Sequence, residues 1–233
     1  MKKKSMKIIC LYGVCVLHLY TLKNNTMTQI KLGTSVRVSD PCYTDDVWCK
    51  TQLKNVLPGG YNCKVAHSDE GAWGVRISSI TLVHENYNDD ESLEWQPHSD
   101  IGVDSGQAGV FCESSYRNDE IAASIVAPEY DFVLPYNDTP GDAWYEKICK
   151  FTLGNKGYGA YDTGVVSCSG IGDGSYPLYV VYDRNEKIIG MQIDYLLGDE
   201  EDEEDEGDVC GVCGNDLEED GTCEYCKDNN DQD

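Results

Sequence analysis

The sequence predicts a mainly β domain, a sandwich or barrel-like fold with few short helices. Short runs of β-branched and aromatic residues recur along the chain, and turn residues separate them at roughly ten-residue spacing. Tyrosine occurs 16 times against three phenylalanines, which suits half-buried strands. With 233 residues and a hydrophobic content of 40%, the chain can form one sizeable domain plus an appendage.

The first half of this domain contains five predicted elements. Residues 30–38 alternate between apolar and polar side chains, which predicts one strand. Residues 45–56 predict a short helix, because Val47, Trp48 and Leu53 can share one face. Residues 61–65 predict a strand and residues 73–83 a pair of strands.

The second half is punctuated by loops. Residues 84–98 predict a polar loop, residues 99–109 a glycine-rich loop, and residues 158–164 a glycine-containing turn. Residues 145–149 fit either a strand or a short helix, and residues 187–195 predict the last strand.

Another polar loop, residues 170–177, has three glycines and an aspartate within its first five residues. Glycine and aspartate allow a tight reversal of the backbone. The apolar runs at 164–168 and 178–182 predict strands on either side. Loops held between rigid strands commonly form binding sites.

These loops contain the candidate ligand-binding residues. One aspartate precedes a proline at the end of the first strand. Two aspartates and a glutamine lie in the loop at 99–109, and an aspartate and a tyrosine lie in the loop at 170–177. The six candidates are Asp40, Asp100, Asp104, Gln107, Asp173 and Tyr176. Loop carboxylates can hold Ca²⁺ or Mg²⁺, and they can equally bond the amides of their own turns.

Three motifs in this order carry a resemblance to a known family. They are Ser39-Asp40-Pro41, the DSGQAG stretch at 104–109 and the GDGSYP stretch at 172–177. Together they resemble bacterial and phage proteins described only as a domain of unknown function. The resemblance covers roughly residues 30–197. It implies a β-rich fold and a cytoplasmic location, in the host cell for a phage-encoded protein. It brings no established activity and no catalytic residue.

The charge divides the chain. Residues 1–26 contain five lysines and no acid, whereas residues 199–233 contain 17 acids and one lysine, within a net charge of −24. No basic patch marks a binder of phosphate backbones, so the composition disfavours nucleic acid as a partner.

We predict five segments along the chain. Residues 1–26 are an N-terminal extension and residues 27–198 the β-rich domain. An acidic linker at 199–208 is predicted to be disordered, because eight consecutive acids repel one another. A zinc-ribbon-like module follows at 209–227, with a disordered tail at 228–233.

The extension has three open interpretations. Four of its five lysines precede an apolar run at residues 8–20, which is shorter than the about 20 residues of a membrane-spanning helix. The segment is a signal sequence, an anchor, or a stretch upstream of a translation start at Met27. We expect no membrane contact unless residues 8–20 act as an anchor.

The tail predicts a structural Zn²⁺ site. Two C-x2-C pairs separated by nine residues place four thiolates for tetrahedral coordination, from Cys210, Cys213, Cys223 and Cys226. Two disulfides or an unstructured acidic end are the alternatives, and iron is a lesser possibility than zinc.

Six further cysteines are scattered through the β-rich domain: Cys42, Cys49, Cys63, Cys112, Cys149 and Cys168. We interpret them as reduced thiols of a cytoplasmic protein, because the paired tail cysteines bind metal best when reduced. Disulfides of a secreted protein are the alternative.

The predicted function is non-catalytic binding of a small polar ligand or a protein partner. A metal-assisted hydrolase using Asp40, Asp104 and Asp173 is one alternative. An acidic adaptor that binds a basic protein is another. The histidines show no metal-ligand spacing and the chain has no Ser/His/Asp order, which argues against an enzyme.

Overall fold

The structure is a computed structural model of the chain. It describes the backbone of residues 5–11 and 14–20, and the full residues of 28–44, 51–87, 92–134 and 139–195. Near the N-terminus, Ser5–Leu11 (β1) pairs antiparallel with Val14–Tyr20 (β2) in a two-stranded sheet. Among the helices in the described ranges, none is long and apolar enough to cross a membrane.

The β-rich prediction is confirmed, because two antiparallel sheets dominate the domain. The first has six strands, in the spatial order Thr28–Leu32 (β3), Gly59–Asp69 (β6), Val75–His84 (β7), Ile188–Asp194 (β13), Gly174–Tyr182 (β12) and Gln96–Val103 (β8). The second has five strands, in the order Tyr158–Tyr161 (β10), Gly164–Cys168 (β11), Gln107–Cys112 (β9), Ser35–Ser39 (β4) and Thr51–Lys54 (β5).

The main core contains apolar side chains from both sheets. Along β6, Tyr61, Cys63 and Val65 are buried, while the residues between them are partly or fully exposed. Successive side chains of a strand point to opposite faces, so this alternation directs one face of β6 into the core. Val36 and Val38 of β4 belong to the same buried cluster.

A helix, Asp142–Leu153 (α1), covers a second and smaller core. Its buried Trp144, Ile148 and Phe151 cluster with Phe111 of β9 and Val166 of β11. This packing answers the open question at residues 145–149, which are helical.

The start of α1 is capped by a carboxylate from another element. Asp119 Oδ2 accepts a hydrogen bond from Gly141 N at 2.8 Å, and Asp119 Oδ1 accepts one from Trp144 N at 3.0 Å. Amides at the start of a helix lack partners within it, so this contact stabilises the first turn.

Two predictions in the first half of the domain are wrong. Residues 30–38 are not one strand, because β3 ends at Leu32 and β4 begins at Ser35 in the other sheet. Apolar alternation continues across this break and therefore hides it. In the predicted helix at 45–56, residues 51–54 form β5, whose Leu53 pairs with Val36; residues 45–50 lie outside the described ranges.

Several predicted loops are shorter than expected. The loop at 99–109 contracts to residues 104–106 between β8 and β9, and β12 already begins at Gly174. The turn at 158–164 contains β10, and β8 begins inside the polar loop at 84–98.

The pair of strands predicted at residues 73–83 is also wrong. This stretch forms the single strand β7, which follows a short 3-10 helix, Gly71–Trp73.

Glycine explains part of the error in the predicted loops, because some glycines lie within strands. At Gly109 of β9, an added Cβ would come within 2.4 Å of both the Phe111 ring and the Val165 carbonyl oxygen. Glycine is required there by close packing rather than by a turn. The strands predicted at 61–65, 164–168, 178–182 and 187–195 are confirmed.

Candidate ligand-binding site

The carboxylate of Asp40 lies buried at the end of β4 and accepts four hydrogen bonds. Its Oδ1 accepts from Cys42 N at 2.8 Å and from Ser105 Oγ at 2.6 Å. Its Oδ2 accepts from Asp104 N at 2.9 Å and from Ser105 N at 2.7 Å. The chain itself therefore occupies both oxygens of the buried carboxylate.

Asp173 holds the next amide of the same loop. Its Oδ1 accepts a hydrogen bond from Gly106 N at 2.9 Å, and Gly106 O accepts one from Ser169 N at 3.0 Å. Three consecutive amides, at residues 104–106, are thus bound by aspartates from the two other motifs. We call Asp40, residues 104–106 and Asp173 the loop junction.

The remaining candidates divide by burial. Asp100 and Asp104 have exposed side chains. Tyr176 is buried, with its hydroxyl donating to Gly172 O at 2.8 Å and its ring edge-on to Tyr195. The structure therefore brings the three motifs together, but it turns much of their polar chemistry inward.

Gln107 connects the loop junction to α1. Its Oε1 accepts a hydrogen bond from Thr152 Oγ1 at 2.9 Å, and its Nε2 donates to Cys149 Sγ and Tyr145 Oη, both at 3.4 Å. Gln107 is only 5% exposed. The residue therefore fixes the C-terminal half of the helix against β9.

The thiols beside the loop junction are poor nucleophiles. Burial raises the pKa of Cys42, with the Asp40 carboxylate as a further cause, and burial likewise raises the pKa of Cys149. A thiol must ionise before it attacks or binds metal, so both side chains are neutral at physiological pH. The five described cysteines are free of disulfides.

No metal cluster is formed within the described ranges. Nowhere in them do three or more His, Cys, Asp or Glu side chains lie close enough to hold one ion. The four predicted zinc ligands, Cys210, Cys213, Cys223 and Cys226, lie outside these ranges, as do the acidic linker and the ribbon.

A groove of about 630 Å³ opens at another place on the domain. Cys63 and Val65 of β6 form part of one wall, and Tyr158 to Ala160 of β10 form another. The rest of the lining comes from Phe151 of α1, Thr28 of β3, Val165 of β11 and the segments at 126–128 and 154–156. Most of these side chains are apolar, and burial raises the pKa of Cys63 to about 12, so its thiol is neutral.

The hydrogen bonds between Gln107 and α1 link the groove to the loop junction. Thr152, which bonds Gln107, directly follows the groove residue Phe151. The Thr152 carbonyl also accepts a hydrogen bond from Cys168 Sγ at 3.5 Å. The loop junction thus supports one wall of the groove.

Sequence reasoning missed the groove. Its lining comes from β3, β6, β10, β11, α1 and a segment without regular structure, which are far apart in the chain. No local pattern marks such a set. The one feature that points to the groove is the exposed apolar side chain of Val126, which is 90% accessible. This exposure is a property of the folded chain and cannot be read from the sequence.

In comparisons with known proteins, no family model, no curated protein and no solved structure matches this chain.

Proposed function

We propose that this protein is a non-catalytic binding protein whose β-rich domain holds a small molecule in the groove. The observation that carries the proposal is the groove itself. Its volume of about 630 Å³ falls within the range of about 300–1,000 Å³ that is typical of ligand pockets. Strands and a helix form most of its walls, so its shape exists before the ligand arrives.

The loop junction has a supporting role in this proposal. Asp40 and Asp173 bind the amides of residues 104–106, and Gln107 then anchors α1. A hydrolase that uses Asp40 as a metal ligand is disfavoured, because its two oxygens already accept four hydrogen bonds. Binding directly to the exposed Asp100 and Asp104 stays a prediction.

The experiment blocks the groove with a side chain and measures ligand binding. Val126 lines the mouth and is almost fully exposed, so Val126→Trp narrows the groove without disturbing the core. Val133→Trp is the matched control, because Val133 is 69% exposed and lies outside the groove lining.

Both variants of the full chain are screened against a fragment library by saturation-transfer NMR. Fragments that bind the unmodified protein and Val133→Trp, but not Val126→Trp, support the groove as the binding site. Equal binding to both variants contradicts the proposal.

The tail adds a structural Zn²⁺ to the proposed function. The two C-x2-C pairs would supply four thiolates, through Cys210, Cys213, Cys223 and Cys226. Four protein ligands leave no open position for a reacting molecule, so the metal would stabilise the fold of the tail.

A further inference from the structure

We infer that the ligand of the groove is an amphipathic organic anion, with its charged group at Lys156 and its apolar body between Val65 and Phe151. This inference rests on the proposed binding function. It adds the chemical class of the ligand to it.

The first supporting observation is the charge of the lining. Fourteen of the described residues line the groove, and Lys156 is the only charged one among those fourteen. Residues 27–198 carry a net charge of −13, so a random part of this surface would contain acids more often than bases. A lysine that is the one charged group among these lining residues gives the groove a local positive potential, which attracts anions.

The second observation is that Lys156 has no partner in the described part of the chain. It follows the end of α1 and has an exposed side chain, and no ion pair or hydrogen bond of its ammonium group occurs there. Lys150, six residues earlier and within α1, is instead paired with Glu146 at 3.0 Å. Among the described residues, nothing competes with a ligand for the ammonium group of Lys156.

The third observation is the apolar body of the groove. Val65, Phe151 and Val165 are buried side chains on its walls, and Ala160 lies beside them. Contact with such walls favours hydrocarbon or aromatic groups, since apolar surface leaves water on binding. A cationic ligand would find no carboxylate in this lining, and a sugar would find few hydrogen-bond partners.

Two polar residues of the groove lining can add hydrogen bonds to a bound anion. Asn155 and Thr28 also line the groove, and their side chains can donate hydrogen bonds to carboxylate or phosphate oxygens. Carboxylates and phosphates share this chemistry, so the inference covers both.

The test compares three probes of nearly equal size: naphthaleneacetate, naphthaleneethanol and naphthaleneethylamine. Each is titrated into the full chain by isothermal calorimetry at low salt. We expect the anion to bind about three- to tenfold more tightly than the alcohol, because an exposed ammonium contributes a modest, screened attraction. The amine is expected to bind most weakly. Decyl phosphate and decanoate then show which anionic group is preferred.

Lys156→Gln should remove the preference for the anion and leave the affinity for the alcohol unchanged. Lys147→Gln is the matched control, because it removes the same charge from α1 at a position outside the groove lining. If both substitutions weaken binding of the anion equally, Lys156 acts only through the overall charge of the domain and the inference is overturned.

The outcomes separate the two proposals. If Val126→Trp abolishes binding of anion and alcohol, but the two bind equally to the unmodified protein, the groove binds ligands and the anion inference fails. If Val126→Trp and Val133→Trp bind the anion equally, the groove itself is not the site and the proposed function fails.

Discussion

Asp40 shows how a single buried carboxylate can join two distant parts of the chain. It ends β4, holds the amide of Cys42 in its own turn, and binds Asp104 and Ser105 across the domain. A buried charge is tolerated only where hydrogen bonds replace water, and here four donors surround it. Asp173 is different, because its side chain is exposed and a single loop amide bonds it.

Replacing Asp40 should therefore destabilise the whole domain. We expect Asp40→Ala to lower the free energy of unfolding by about 2–4 kcal/mol, because several buried donors lose their acceptor. Urea denaturation of the full chain, followed by tryptophan fluorescence, measures the change.

Asp104→Ala is the control for this prediction, since it removes an exposed carboxylate from the same loop and keeps the backbone amide that Asp40 binds. Its free energy of unfolding should match that of the unmodified protein. Equal destabilisation by both substitutions would show that Asp40 is not the organising group.

At the scale of elements, the position of α1 depends on a close contact with β10. An added Cβ at Gly159 would lie 2.0 Å from the Phe151 ring, far inside contact distance. The φ of Gly159 is not in the left-handed region, so sterics rather than backbone conformation require glycine here. The same contact brings Phe151 and β10 together as adjoining walls of the groove.

Gly159→Ala should accordingly cost about 1–3 kcal/mol of stability, as overpacking does in other cores. Gly174→Ala is the control, because the nearest atoms to its added Cβ are at 3.5 Å, which is an ordinary contact, and its φ is also not left-handed. Chemical denaturation of both variants measures the difference.

A double-mutant cycle with Phe151→Ala, which removes Cγ and the whole ring, identifies the cause. In that background the ring is gone, so the further cost of Gly159→Ala should shrink. A cost that is the same with and without the ring would mean that Phe151 is not what excludes the methyl group.

Strands with long apolar patterns are predicted correctly, whereas a short strand is not. Strands β6, β11, β12 and β13 have apolar patterns long enough to read directly, and the structure confirms them. The sequence predicts a helix across residues 51–54, because Leu53 fits a helical face. Pairing with β4 overrides that local preference.

At the scale of the whole molecule, the chain combines a moderately acidic domain with a strongly acidic tail. Residues 199–233 carry −16 of the total net charge of −24. This field disfavours nucleic acid and leaves a basic protein as an alternative partner for the tail. The cytoplasmic location and the resemblance to phage and bacterial proteins stay predictions.

The zinc site is tested on the full chain by metal analysis and Co²⁺ substitution. We expect one equivalent of zinc in the unmodified protein, and loss of that zinc on Cys213→Ser, because three thiolates bind the ion far more weakly than four. The Co²⁺ form should show thiolate-to-metal absorption.

Cys112→Ser is the control for this prediction, since Cys112 belongs to β9 and its sulfur lies 3.5 Å from Ser114 Oγ. Zinc should remain in this variant. Full zinc in Cys213→Ser would contradict the four-thiolate site, and iron in place of zinc would identify a rubredoxin-like centre.

Hydrophobic period and turn chemistry are local properties, so the mainly β class, several strands and the three polar motifs can be predicted from the amino-acid sequence. What the motifs do in the fold depends on contacts between residues that are distant in the chain. Folding turns Asp40 inward, onto the amides of residues 104 and 105, and places Asp173 against the amide of Gly106.

The groove is likewise a product of tertiary packing. Residues as distant as Val65, Phe151 and Lys156 meet there because β6, β10 and the end of α1 converge. No spacing in the sequence encodes such a meeting. Burial, pairing between sheets and the direction of side chains arise only when the whole chain has folded.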